Sequence, residues 1–195
     1  MYQEALIEHP PLPYYDNAYL TLAIRGGYLK GCANRVLDPT NTVLDGNLTG
    51  TVLSVVSGYL WGTALLIEGV TLQNGGSDGL YLGLDLETTN DSAIKINKSI
   101  FKANKGRGIR IQNPAWCCTG RIEISQNDFL YNEKGGMHIV PSMEKSGTVL
   151  VLNNKIIGNL LNGGLKIWNN APPNGPNTVV SENIMYKNKS QSGGG

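Results

Sequence analysis

An apolar residue followed three places later by asparagine recurs four times along this chain at nearly constant spacing. The units are Phe101-Lys102-Ala103-Asn104, Phe129-Leu130-Tyr131-Asn132, Ile156-Ile157-Gly158-Asn159 and Met185-Tyr186-Lys187-Asn188, with asparagines 28, 27 and 29 residues apart. An imperfect copy ends at Leu72-Gln73-Asn74, 30 residues ahead of Asn104. A glycine and a short alternating strand follow each unit: Gly79-Leu80-Tyr81-Leu82, Gly108-Ile109-Arg110-Ile111, Gly136-Met137-His138-Ile139 and Gly164-Leu165-Lys166-Ile167. Another strand precedes each unit, at Ala93–Ile96, Arg121–Ile124, Val149–Leu152 and Thr178–Ser181. Three short strands in each repeat of about 28 residues, with no helical period, predict an all-β fold. The architecture expected is a parallel β-helix, a solenoid of about six coils.

One such coil cannot bury its inward side chains alone, so successive coils must stack about 4.8 Å apart over a shared apolar column. Alternation places Leu80/Leu82, Ile109/Ile111, Met137/Ile139 and Leu165/Ile167 inward on one sheet. Ile94/Ile96, Ile122/Ile124, Val149/Val151 and Thr178/Val180 take the same role on a second. The repeated asparagines should superpose and hydrogen-bond along the axis as a ladder. The glycines are expected to supply corner conformations with positive φ. These two roles account for most of the 25 glycines and 21 asparagines in 195 residues, and leave no reason to read Gly106-Arg107-Gly108 as a phosphate loop.

The motifs carry a family resemblance. Gly135-Gly136-Met137 and Gly163-Gly164-Leu165, with Phe101–Asn104 and Phe129–Asn132, resemble the repeats of chlamydial polymorphic outer-membrane proteins. They are also similar to other right-handed β-helix surface proteins of the pectin-lyase-like superfamily. Arg25-Gly26-Gly27-Tyr28, Val43-Leu44-Asp45-Gly46 and Ile67-Glu68-Gly69-Val70-Thr71-Leu72 follow the order of the opening coils in many bacterial members. The resemblance covers residues 18–195, expected to be β-helix, and leaves 1–17 as an irregular lead-in. It implies a right-handed helix and an extracellular or outer-membrane-associated setting. The superfamily holds lyases, hydrolases, adhesins and spacers, so fold alone does not choose an activity.

Register supplies the candidate site. The outward residues between the inward pairs are Tyr81, Arg110, His138 and Lys166, and two places further along stand Gly83, Gln112, Val140 and Trp168. Stacking makes Tyr81, Arg110, His138 and Lys166 one exposed ladder of basic and aromatic groups, with Trp168 beside it. In the superfamily's lyases the substrate lies along such a face. Arg forks onto carboxylates and aromatics stack on sugar rings, so an acidic polysaccharide or a host or cell-surface glycan is the ligand this ladder would suit. The other reading is a solvated polar surface. Elimination from a uronic acid needs a base and a cation near the reacting carbon, and Arg110, His138 and Lys166 are the residues on hand. No catalytic set is assigned and no cofactor or metal is expected, because neither an acidic cluster nor paired carboxylates fall on this face. Asp85, Glu87, Asp91 and Glu144 read as loop charges, and Glu123 and Asp128 show no evident partner. The loops at 83–92, 112–120, 140–147 and 168–177, with Trp116, form a second candidate surface. Cys32, Cys117 and Cys118 make neither a disulfide framework nor a zinc set.

Net charge is +1 and only 16% of residues are charged, which argues against nucleic acid as a partner. No apolar run reaches the ~18 residues of a membrane helix, and the N-terminus has no signal-peptide pattern. Since solenoid ends need covering, the chain is expected to be a monomeric stretch of a longer exported protein. The functional expectation is a non-enzymatic stalk or adhesin-like domain; the rival is a polysaccharide lyase.

Overall fold

The computed structural model describes residues 5–8, 19–29, 34–60, 62–86, 93–112, 120–141, 147–168 and 176–190. Strands β1 (Ala5–Glu8), β2 (Tyr19–Arg25) and β3 (Val43–Asp45) open the series, followed by β4 (Leu53–Leu60), β5 (Gly62–Glu68) and β6 (Thr71–Gln73). The next two coils are β7 (Leu80–Leu86), β8 (Ala93–Asn97) and β9 (Ile100–Lys102), then β10 (Ile109–Gln112), β11 (Arg121–Ser125) and β12 (Asp128–Leu130). The last two are β13 (Met137–Val140), β14 (Thr148–Leu152) and β15 (Lys155–Ile157), then β16 (Leu165–Ile167), β17 (Asn177–Ser181) and β18 (Ile184–Tyr186). Corresponding strands of successive coils pair in parallel, giving three six-stranded sheets. The expected solenoid of three short strands per coil is therefore present. Within the lead-in at 1–17, Ala5–Glu8 pairs with Leu53–Val56 and extends the first sheet.

Alternation decides the core. On the first sheet Leu80, Leu82, Ile109, Ile111, Met137 and Ile139 are buried; on the second Ile94, Ile96, Ile122, Ile124, Val149 and Val151 are. Phe101 and Phe129 form the centre of the third sheet's column, stacked with centroids 5.0 Å apart and planes 7° from parallel. Ile156 continues that column. Burial falls away in the last coil, where Val180 is 45% and Met185 48% exposed although their partners Val151 and Ile156 are fully buried.

The predicted asparagine ladder is built from Asn104 to Asn188. Nδ2 of Asn104 donates to Oδ1 of Asn132 at 2.9 Å, Asn132 to Asn159 at 2.9 Å, and Asn159 to Asn188 at 3.0 Å. Each backbone N–H donates to the same oxygen. Nδ2 also reaches a strand carbonyl of the preceding coil, as from Asn132 to Phe101 O. A second ladder, unforeseen from the sequence, runs through Asn127, Asn154 and Asn183 at the turn between the second and third sheets. Ser99 heads it, its N–H bonded to Oδ1 of Asn127. The place ahead of Asn104 belongs to Gly75, not Asn74: the register pairs Leu72 with Phe101 and Gln73 with Lys102, and Gly75 N donates to Oδ1 of Asn104.

Gly27, Gly69, Gly135, Gly158 and Gly163 have the expected positive φ, but the other glycines need a different account. The residues with positive φ ahead of the ladder asparagines are mostly not glycine: Ala103, Gln126, Tyr131, Asn153, Glu182 and Lys187 all lie at 53–57°. The strand-leading glycines are required by close approach instead. A Cβ on Gly108 would lie 2.7 Å from Gly136 O and 2.7 Å from the Phe129 ring, and one on Gly136 would lie 2.4 Å from Gly164 O.

Asn132 is fully buried, and its loss would strand donors on Asn104 and an acceptor on Phe101. Asn132→Ala should cost about 2–4 kcal/mol, whereas Gln126→Ala at an exposed turn should stay within about 0.5 kcal/mol; urea denaturation of both variants measures the difference.

Candidate functional site

The candidate row is aligned by hydrogen-bonded register on the first sheet. Ser54 pairs with Tyr81, Tyr81 with Arg110, Arg110 with His138, and His138 with Lys166. Gly83, Gln112 and Val140 form the parallel row. Trp168 follows β16, its N–H bonded to Ile139 O at 2.9 Å. All five candidates thus come to one face.

Each cation of the row is laid against an aromatic ring. The Arg110 guanidinium lies 5.3 Å from the Tyr81 centroid and also donates to Gln112 Oε1 at 2.9 Å. Lys166 Nζ lies 5.1 Å from the ring of Trp168, which is 54% exposed. A Cβ on Gly83 would stand 2.9 Å from the Tyr81 hydroxyl, so this glycine gives the tyrosine ring room to lie along the sheet. Such contacts orient a cation without cancelling its charge. Among the described residues, ion pairs involve Arg35, Lys95, Arg107 and Arg121 but neither Arg110 nor Lys166.

His138 departs from the expected ladder of cations. Both its ring nitrogens are buried with no hydrogen-bond partner among the described residues. Burial, then the charges of Arg107, Lys166 and Arg110, lower its pKa to about 4. The imidazole is therefore neutral at pH 7, and the row presents two cations rather than three.

Arg107 is the residue that sequence reasoning missed. It sits in the turn ahead of β10, where its backbone N–H donates to Asp78 Oδ1 at 2.7 Å and its Nη1 lies 3.8 Å from the same oxygen. Asp78 is only 4% exposed. Nε of Arg107 is buried with no partner among the described residues. The available signal was an arginine between two glycines just before the row.

Glu123, expected to lack a partner, has three: Lys95 Nζ at 3.5 Å, Arg121 Nη2 at 2.6 Å, and the Ser125 hydroxyl, which donates to its Oε1 at 3.2 Å. Burial opposes its ionisation, but these cations and the hydrogen bonds from Ser125 and Arg121 outweigh it and hold the carboxyl below its usual range. Burial raises Asp128, against the opposing charge of Lys155. Among the described residues no three His, Cys, Asp or Glu side chains gather into a metal-holding group, and no helix is long and apolar enough to cross a membrane. Glu87, Asp91, Trp116, Glu144, the three cysteines and most of the candidate loop surface lie outside the described residues.

With three parallel sheets and the stacked corners in place, a family comparison is decisive: the model of the right-handed β-helix region matches residues 40–156, more than half of the chain. The chain belongs to the right-handed β-helix family. The pectin-lyase-like resemblance is consistent with that membership. No curated protein and no solved structure matches this β-helix.

Unfolded, His138 would take its proton near pH 6.5; folded, it does so only near 4. The unfolded state therefore binds more protons between these values. The contribution of this site to stability is complete above about pH 6.5 and is lost as pH falls towards about 4. Denaturation midpoints of His138→Gln should vary less with pH across that window than those of the parent.

Proposed function

We propose that this β-helix is a non-enzymatic binding domain that holds an acidic polysaccharide along the outer face of its first sheet. Its setting is the extracellular or cell-surface one that the family resemblance implies. The observation that carries the reading is the alignment of Arg110 and Lys166, each on an aromatic ring and neither neutralised by a carboxylate among the described residues. Two coil spacings separate them, about 10 Å along the axis. A polymer of uronic acids lying along that axis can meet one cation with one carboxylate and the next cation with another. Trp168 offers a face for a sugar ring, and the stacked coils make the row rigid before the ligand arrives, which reduces the ordering cost of binding.

His138 favours binding over elimination. A base that abstracts a proton from carbon must be free to accept one; the imidazole at about 4 is a weak acceptor in the free protein, and beside a seated anion it is favoured as imidazolium, which has no free lone pair.

The test is titration calorimetry with polygalacturonate, alginate and a glycosaminoglycan, alongside absorbance of any unsaturated product. The parent should bind at least one polymer without turnover. The double variant Arg110→Gln, Lys166→Gln should bind at least ~100-fold more weakly, from two lost charge-assisted contacts, and Trp168→Ala several-fold more weakly. Equal affinity in the double variant, or no binding to any polymer, refutes the reading. Turnover abolished by Arg110→Gln would replace it with the lyase.

A further inference from the structure

The row's central histidine lies among positive charges with nothing among the described residues to accept a proton from it. Arg110 is its neighbour on β10, Lys166 its neighbour on β16, and Arg107 acts on it from the turn ahead of β10. The acid associated with this group is Asp78, which is bonded to Arg107. Three cations and one carboxylate leave a local excess of positive charge in a protein whose net charge is only +1. Buried donor capacity is unused as well, at Arg107 Nε and on the imidazole. A buried polar group without a partner is costly, and several such groups with one sign of charge define a seat for a group of the opposite sign.

We propose that Arg107, Arg110, His138 and Lys166 form one seat for an anionic group of the polysaccharide, and that this group enters together with a proton taken from solvent by His138. The inference rests on the glycan-binding reading of the same face and names what regulates it.

The argument is electrostatic and geometric. An imidazolium carries two N–H donors, and the free protein gives neither an acceptor among the described residues. Its three cationic neighbours oppose the extra charge. A carboxylate or sulfate removes both obstacles, since it neutralises part of the cationic field and accepts an N–H once side chains of the row shift to uncover the imidazole. The empty seat thus favours neutral imidazole and the filled seat imidazolium. No bond other than that to the proton is made or broken. By linkage, a ligand whose binding raises proton affinity binds more tightly as the proton concentration rises.

The experiment uses the full chain with two probes, polygalacturonate and dextran sulfate, because the sulfate does not itself titrate near neutrality. Calorimetry in two buffers of different ionisation enthalpy counts the protons taken up. With the bound imidazole at or above its ordinary value of about 6.5, affinity for dextran sulfate should rise about tenfold or more from about pH 7.5 to about pH 5. Uptake should approach one proton per seat occupied at about pH 5 to 5.5, between the two values. His138→Gln should lose both the uptake and the slope, Arg107→Gln should weaken binding at both pH values, and Lys155→Gln on the third sheet should keep the parent's slope. Binding with a flat pH profile and no uptake in the parent would overturn the proton coupling and leave the glycan reading standing. Uptake that persists in His138→Gln would also overturn it. Absence of binding by either probe at every pH would overturn both.

Discussion

Each turn of this protein leaves backbone N–H groups at its corners that point along the axis and have no strand to pair with. The side-chain carbonyl of an asparagine one coil further on accepts them. Asn104, Asn132 and Asn159 do this while fully buried, so the bonds cannot be exchanged for water and a slipped coil would strand several polar groups at once. This requirement locks register from coil to coil. The chain respects it in its turn lengths: two residues lie between the second and third strands in the last five coils, at 69–70, 98–99, 126–127, 153–154 and 182–183. Most variation in the repeat falls at the corner between the first and second strands, which the two ladders do not cross.

The candidate face inherits its order from those corners. The side chains of Tyr81, Arg110, His138 and Lys166 line up because the backbone beneath them cannot slide. Stacking on Tyr81 and Trp168 then restrains the two long cationic side chains without neutralising them. A salt bridge would have restrained them equally well and left little charge to offer. That choice explains how a chain of net charge +1 can still present a concentrated positive strip.

What could be read from the sequence was whatever follows a period of two or of about 28. The inward pairs, the three sheets and the shared row all follow from alternation and spacing. Matching by residue type misplaced the early copy: Asn74 has the right letter, but Gly75 has the right position, and the stack depends on position. The second ladder escaped notice because its members follow Gln126, Asn153 and Glu182, which share no side-chain character. They share a positive φ, which sequence spacing does not display. The neutral state of His138 was beyond reach for a similar reason. It depends first on burial of the ring and then on Arg107, 31 positions away in sequence and part of a turn that reads as a glycine-rich spacer.

The ladders have a direction. Each fully buried ladder amide gives one hydrogen to the asparagine oxygen of the following coil and the other to a strand carbonyl of the preceding one, while its own oxygen accepts from the preceding coil, so each coil hands on the same set of bonds that it receives. A duplicated coil would therefore find a complete complement of partners at both its faces, and a deleted one would leave two matching faces to rejoin. Such a molecule can change its length by whole rungs without redesigning its interior. The span of glycan it could follow would then be set by gene duplication rather than by point substitution.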